Sequence, residues 1–302
     1  MISFKEDHIS QIPALLMLEK LGYTYLTPDE ALALRGGNLA NVLLEPVLRK
    51  QLAAINVVQV SSVRTTVFSE QNITAGIDAL RNIPMDEGFM EASQTVYDLL
   101  TSGKTLEQIV DGDRKSFVMQ YIDWKNPRNN VFHVTEEFAV SRTGMTDTYR
   151  PDIVLFVNGI PLCVIECKRP DVKDSIEQAI SQHLRNQKAD GIRSLYLYST
   201  LLLAINRQEG SYATTATPEK FWARWREQFA DREEETHYRQ ELERVVNEPL
   251  LDDKLFGERF GYVRRNFEEL YKQPVTPSVQ DEYLYNLCRP ERLLQLMYGF
   301  TI

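Results

Sequence analysis

Apolar residues recur three and four positions apart over roughly the first 125 residues of this 302-residue chain. The segments ISQIPALLMLEKLGY and NVLLEPVLRKQLAAI show this spacing, and the turn-forming stretches TPDE and RGGN lie between them. Because such spacing gives a helix one apolar face, it predicts helices. Three further helices are predicted over residues 75–83, 88–100 and 106–119.

The pattern changes to that of strands after this region. The segment NVFHVTEEFAVSR, at 130–142, indicates an exposed strand. Two apolar runs at 152–157 and 161–168 indicate buried strands, because a strand covered on both faces has little polar alternation. Two more apolar strands are predicted in SLYLYST and LLLAINR.

A helix is predicted between the buried strand at 161–168 and the strand SLYLYST. It begins at DSIE, where Asp174 and Glu177 have the spacing of a capping box, and it runs to about Lys188. After Thr217 and Pro218 the chain becomes highly charged, and WREQFADREEETHYRQELERVV is typical of a solvated amphipathic helix pair.

This order of elements predicts an α/β fold with a mixed central β-sheet flanked by helices on both faces. An exposed antiparallel edge strand would lie beside a buried hairpin, and the helix after the hairpin would form a right-handed crossover. Residues 1–217 would form this domain together with its N-terminal helical part. Residues 218–302 would form a separate charged helical region.

Composition narrows the class of protein. The net charge of -9 argues against a general nucleic-acid coating protein, since phosphate binding depends on clustered Lys and Arg, although it leaves room for a local site. The three cysteines, with Cys163 and Cys167 in one strand, fit free thiols in a reducing compartment. No apolar run approaches the roughly 20 residues that span a membrane. The N-terminus has no secretory signal pattern, so we expect a cytoplasmic protein without a membrane partner.

Candidate chemistry lies in the stretch DIVLFVNGIPLCVIECK, residues 152–168, where the two buried strands surround Asn158 and Gly159. A two-residue turn at Asn-Gly would project Asp152 and Glu166 from opposite sides of the sheet. A three-residue turn with a bulge would put both carboxylates and Lys168 on one face. We expect the odd loop, because charges at the ends of buried strands are costly unless they are paired or bound to a metal.

On one face, these groups would suit metal-assisted phosphodiester hydrolysis. Two carboxylates and the main-chain carbonyl of Cys167 are hard oxygen ligands for Mg²⁺, and the ammonium of Lys168 would offset charge at phosphorus. The alternative for Glu-x-Lys is a solvated strand end with a weak surface ion pair. For Gln182, on the helix after the hairpin with Gln178 and Asn186, spacing alone favours an exposed polar face.

At RPDIVLFVNGIPLCVIECKRP the chain resembles the nuclease motif of the R (motor) subunit of type I restriction enzymes, a branch of the PD-(D/E)XK nucleases. The likeness extends over nearly the whole chain. It includes LEKLGYTYL, YIDWKNPRNNVFHVTEEF, SQHLRNQ and LLLAINRQEGSYATTATPEKF.

The resemblance implies a mixed-sheet nuclease core that cuts double-stranded DNA with Mg²⁺, for which Mn²⁺ would substitute. It implies that Asp152 and Glu166 bind the metal, that Lys168 is the catalytic lysine, and that Gln182 belongs to a Gln-x-x-x-Tyr motif. The Cys167 carbonyl is a candidate metal ligand on its chemistry alone. Asn186 occupies the tyrosine position of that motif, which departs from the family pattern. Related nucleases often have a glutamate on the first helix, but the region around Gln11 offers none. Glu45 on the second helix is the substitute to examine.

The resemblance also implies partner subunits and a motor domain that this chain does not include. Methyltransferase and specificity subunits would complete the enzyme, and ATP would act only through a motor domain expected after this chain. The stretch SGKT at 102–105 is interpreted as a helix end capped by Gly103 rather than as a nucleotide-binding loop. Two other functions stay open, namely a stand-alone repair or phage nuclease, and a catalytically silent scaffold that docks other restriction subunits.

Overall fold

A mixed six-stranded sheet lies at the centre of the computed structural model, which describes residues 10–61, 64–250 and 253–300. The strands are β1 Thr24–Leu26, β2 Val57–Ser61, β3 Arg64–Val67, β4 Lys104–Val110, β5 Asp113–Met119, β6 Phe132–Glu136, β7 Val140–Ser141, β8 Thr148–Tyr149, β9 Ile153–Val157, β10 Ile160–Cys167, β11 Leu201–Ile205 and β12 Gly210–Ala213. The helices are α1 Ile12–Lys20, α2 Pro28–Ala33, α3 Glu45–Ile55, α4 Glu70–Arg81, α5 Phe89–Ser102, α6 Ser175–Asn186, α7 Arg193–Tyr196, α8 Arg232–Val246, α9 Arg264–Leu270, α10 Val279–Cys288 and α11 Pro290–Phe300.

The central sheet has the order β1-β6-β9-β10-β11-β12. Two pairs, β1 with β6 and β10 with β11, are parallel, and the other pairs are antiparallel. Every residue of β9, β10 and β11 is buried, which explains their continuous apolar runs. Helix α6 provides the crossover between the parallel strands β10 and β11. The predicted α/β class with a mixed sheet is therefore confirmed.

Helices cover both faces of the sheet. Glu166 of β10 contacts α6 on one face, through Gln182. Cys163, three residues earlier and so on the opposite face, lies beside Cys288 at the end of α10. Helix α1 packs on that second face as well, since Tyr23 just after it donates a hydrogen bond to the Cys288 carbonyl at 2.7 Å.

The β9–β10 hairpin has the two-residue turn that Asn-Gly favours, so the prediction of an odd loop was wrong. Val157 pairs directly with Ile160, and both turn residues have positive φ, +52° at Asn158 and +84° at Gly159. A register shift then occurs between Pro161 and Cys163, because Leu162 is an extra residue in β10. This bulge has the same effect on the face of each later residue as the odd loop would have had.

The region 104–119 is a β-hairpin and not the predicted helix. Strands β4 and β5 pair from Lys104 with Met119 to Val110 with Asp113. The turn is Asp111-Gly112, where both residues have positive φ, and this dipeptide is a strong hairpin signal that the helical interpretation overlooked. Gly103 ends α5 with φ +78°, as predicted for the SGKT stretch.

The structure also differs from the prediction at the edge of the sheet and at the ends of several elements. Strand β6 is not an exposed edge, because β1 pairs along its outer side, and SLYLYST forms α7 and a turn instead of a strand. Asp174 has a left-handed backbone, φ +53°, and makes no capping hydrogen bond, so the predicted capping box is absent. The charged stretch 225–246 has one helix, α8, where a pair was predicted, because residues 225–230 are not helical.

The C-terminal region packs directly on the sheet. Tyr283 of α10 donates a hydrogen bond to the Gly210 carbonyl of β12, and Gln280 bonds the side chain and main chain of Ser10. Buried apolar residues from both parts belong to one continuous cluster. Among the described residues, no helix combines the length and apolar character that crossing a membrane requires.

Gly159 is fixed by its surroundings. Its φ of +84° disfavours side chains, and a Cβ there would lie 2.6 Å from the Leu44 carbonyl oxygen. We expect Gly159→Ala to lower the free energy of unfolding by about 3 kcal/mol, since strain and overpacking add. The matched variant Gly144→Ala, with φ +71° but open space around it, should lose about 1 kcal/mol. Urea denaturation measures the free energy of unfolding of both variants. Equal losses would contradict the close approach of Gly159 to the Leu44 carbonyl.

Candidate active site

Asp152 and Glu166 lie opposite each other at one end of the β9–β10 hairpin. The pairs after the bulge run through Val164 with Val154 and Ile165 with Ile153, so the next pair outward is Glu166 with Asp152, on one face. An Asp152 carboxylate oxygen, Oδ2, accepts the Cys167 main-chain N–H at 2.7 Å. The same oxygen lies 3.5 Å from the Lys168 ammonium. The structure therefore brings together the three charges that the sequence singled out.

Glu166 is fully buried, and its environment disfavours charge. Burial raises the pKa of its carboxyl group well above the usual value, and the neighbouring Asp152 carboxylate raises this pKa further. One carboxyl oxygen, Oε2, accepts a hydrogen bond from Gln182 Nε2 at 2.6 Å. The other, Oε1, is buried without a hydrogen-bond partner among the described residues. A buried acceptor without a partner is the kind of atom that a bound cation satisfies.

The Cys167 carbonyl completes a possible set of hard oxygen ligands. It accepts a hydrogen bond from Lys168 Nζ at 3.1 Å, whereas the Cys167 thiol is buried and has a raised pKa because of desolvation. The described residues contain no cluster of three or more His, Cys, Asp and Glu side chains suited to a metal. Two carboxylates and one carbonyl still fit Mg²⁺, which retains several waters. The Lys168 ammonium now contacts two of these oxygens, so a metal would have to share or displace it.

The spacing of Gln182 alone suggested an exposed polar face. The structure instead directs its side chain towards the carboxylate pair. Its amide points at Glu166, while Gln178 donates to the Lys173 carbonyl at the helix start and Asn186 is buried. Successive steps of four residues rotate by about 40° around a helix, so these three residues occupy different environments. The Asn186 amide reaches the Tyr196 hydroxyl at 3.4 Å and takes no part in the carboxylate pair.

The residue after Gln182 fastens α6 to the sheet. His183 Nε2 lies 3.0 Å from the Leu203 carbonyl oxygen and its Nδ1 lies 3.0 Å from the Tyr196 hydroxyl. Because a carbonyl only accepts, Nε2 carries the proton and the Tyr196 hydroxyl donates to Nδ1. Burial lowers the pKa of His183 to about 4, so the ring is neutral near pH 7. This contact holds the helix turn that carries Gln182 against β11.

Two contributors were missed from the sequence. Gln11, next to α1, donates its side-chain N–H to the Asp152 carbonyl at 3.0 Å, so the first helix does reach the site, but with an amide. The guanidinium of Arg185 stacks on the Tyr149 ring at 4.4 Å, one helix turn from Gln182. Neither residue is a carboxylate, so the expectation of a glutamate on the first helix identified neither of them, although Arg185 lies in the quoted segment SQHLRNQ.

Glu45 does not belong to the site. Its carboxylate contacts Arg81 at 2.6 Å and accepts from the Asn41 amide at 3.0 Å. The residue before it, Leu44, bonds the carbonyl of Gly159 in the hairpin turn. Glu45 is thus at the opposite end of the hairpin, roughly 20 Å from Glu166 at the rise of a strand.

Comparison with known proteins identifies the family of the chain. Residues 3–221 match the family model described as the N terminus of the type I restriction enzyme R protein. A Methanocaldococcus jannaschii protein, named as the endonuclease subunit of type I restriction enzyme MjaIXP, is 27% identical over 228 residues, which cover 73% of this chain and 20% of that protein. The HindI endonuclease subunit of Haemophilus influenzae is 29% identical over 206 residues, 66% of this chain and 18% of that protein.

The chain therefore spans about a fifth of the length of these curated relatives. The matched family region contains the whole β9–β10 hairpin, α6 and every residue of the candidate site. On the extent of this match, the chain belongs to the family of type I restriction enzyme R protein N-terminal domains.

Proposed function

We propose that this chain is an endonuclease domain that hydrolyses phosphodiester bonds of double-stranded DNA, with Mg²⁺ or Mn²⁺ as cofactor. The observation that carries the proposal is the convergence of Asp152, Glu166 and Lys168 at one end of a buried hairpin, produced by the bulge at Leu162. An ordinary exposed ion pair contributes little to stability and does not require a buried hairpin to position it. A buried carboxyl group with a second carboxylate opposite it costs stability, and a metal site gives a reason to retain it.

Each residue has a distinct part in the proposed reaction. Asp152, Glu166 and the Cys167 carbonyl would hold the cation, and Gln182 keeps the Glu166 side chain in place through its 2.6 Å hydrogen bond. When bound, Mg²⁺ supplies polarisation of a phosphoryl oxygen and a lower pKa for a coordinated water. Lys168, released from the oxygens it now contacts, would offset the negative charge that develops at phosphorus.

Further proposals follow from the resemblance to the R subunit of type I restriction enzymes. In a complete type I restriction enzyme, this domain would work with methyltransferase and specificity subunits on DNA, and ATP would act through a motor domain outside this chain. Cutting by this chain alone is then expected to be weak compared with cutting by the complex. The cytoplasm, where such a complex would meet DNA, is the expected location.

Metal binding tests the proposal directly. We expect Mn²⁺ to bind the protein in isothermal titration calorimetry, and supercoiled plasmid to be nicked only when Mg²⁺ or Mn²⁺ is present. Asp152→Asn should remove the binding. Glu45→Gln, which changes a carboxylate outside the site, is the matched control and should leave it unchanged. A silent scaffold would show no Mn²⁺ binding that depends on Asp152, and that outcome would refute the nuclease assignment.

A further inference from the structure

Most Lys and Arg side chains around the candidate active site form ion pairs with nearby carboxylates. Such a cation contributes little to phosphate binding unless its partner is displaced, because its charge is already compensated. The matched pairs are Lys168 with Asp152, Arg169 with Asp171, and Arg142 with both Asp147 and Asp190.

Arg150 differs from these residues. Its side chain is exposed and forms no ion pair within the part of the chain that the structure describes. It lies two residues before Asp152, so their Cα atoms are at most about 7 Å apart. An extended arginine side chain spans a similar distance, so the Arg150 guanidinium is within reach of the rim of the site.

The segment before Arg150 is anchored to the rest of the domain by hydrogen bonds. It is a small hairpin of β7 and β8, residues 140–149, which we call the flap. Arg142 of the flap has a side chain that is 15% exposed and donates to the Asp190 carbonyl at 3.0 Å, and Thr143 N–H donates to the Gly191 carbonyl at 2.9 Å. The flap is thereby bound to the loop between α6 and α7.

A second guanidinium without a carboxylate partner lies across the flap. The ring of Tyr149 is stacked between the guanidinium groups of Arg142 and Arg185, at 4.5 and 4.4 Å from its centroid. Arg142 is paired with its carboxylates, but the contacts of Arg185 are the ring and the Asn186 side-chain oxygen, at 3.1 Å. Within the described residues, neither Arg150 nor Arg185 thus forms an ion pair with a carboxylate.

We propose that Arg150 binds a backbone phosphate of duplex DNA beside the cut, with Arg185 as the second contact of a clamp that the flap supports. This inference rests on the proposed nuclease function and deepens it. Guanidinium groups bind phosphate oxygens with two parallel hydrogen bonds, and a preformed base lowers the entropy lost on binding. Neither cation needs to leave a carboxylate first.

The test is duplex DNA binding by the 302-residue protein, measured by fluorescence anisotropy with Ca²⁺ in place of Mg²⁺ and with salt varied. Arg150→Ala should weaken binding roughly five- to tenfold at 0.1 M salt. It should also reduce the slope of log affinity against log salt by about one, the value for one phosphate contact. Arg150→Lys, which keeps the charge, should keep the slope.

Arg226→Ala is the matched control, because Arg226 is also exposed and has no ion-pair partner among the described residues. It should leave affinity and slope unchanged. If the parent protein binds DNA and Arg150→Ala has the parent slope, the clamp is wrong while the nuclease proposal stands. If the parent protein shows no DNA binding at all, the nuclease proposal and the clamp fail together.

Discussion

Asp152→Asn is expected to reduce metal-dependent DNA cleavage to background. The amide removes the charge that would hold the cation, yet its side-chain oxygen still accepts the Cys167 N–H that Asp152 Oδ2 now accepts at 2.7 Å. The hairpin should therefore keep its structure, and the loss should appear in catalysis rather than in folding. Nicking of supercoiled plasmid with Mg²⁺ measures cleavage, and circular dichroism checks the fold.

The control for this variant is Asp98→Asn, which changes an exposed aspartate on α5. Lys168→Ala gives a sharper comparison, because it should lower cleavage roughly 10²- to 10³-fold while Mn²⁺ binding persists. The ammonium contacts the same two oxygens that the metal needs, so its removal leaves those ligands free. In an assembled restriction complex, both variants should retain ATP hydrolysis. Near-normal cleavage by either would mean that its residue has another role.

The sequence predicted the central sheet better than its surroundings. Strands β9, β10 and β11 were recognisable because each is buried on both faces and reads as an uninterrupted apolar run. The β4–β5 hairpin was mistaken for a helix because its apolar residues are few and its strands are largely exposed. There the turn signal at Asp111-Gly112 carried more information than the spacing of apolar residues.

For the candidate site, the sequence identified the charged residues but not the contacts that position them. Both carboxylates were found from the cost of charges at buried strand ends, and their common face was predicted, but for the wrong reason. Pro161 has no N–H for the ladder and precedes the bulge at Leu162, so the register shift lies inside β10 and not in the turn. Gln11 and Gln182 could not be placed by spacing, because their roles depend on which helix faces which strand end.

Glu166→Gln is expected to stabilise the protein without metal and to do so increasingly as pH rises. Burial raises the Glu166 pKa in the folded state, so its contribution to stability is fully present below the unfolded pKa near 4.5 and is lost as pH rises through the folded pKa. The loss is up to about 1.4 kcal/mol per pH unit in that window. Glutamine resembles the protonated acid and has no such dependence. Thermal unfolding between pH 4 and 8 measures the difference.

The same substitution should remove the stabilising effect of the cofactor, because a bound cation compensates the Glu166 carboxylate and has no equivalent at an amide. Saturating Mn²⁺ is thus expected to raise the melting temperature of the parent protein near pH 8 and to leave that of Glu166→Gln unchanged. Glu177→Gln, on the exposed side of α6, should behave as the parent in both experiments. A Glu166→Gln protein that Mn²⁺ stabilises as strongly as the parent would show that Glu166 is not a metal ligand, and its burial would then need a structural explanation.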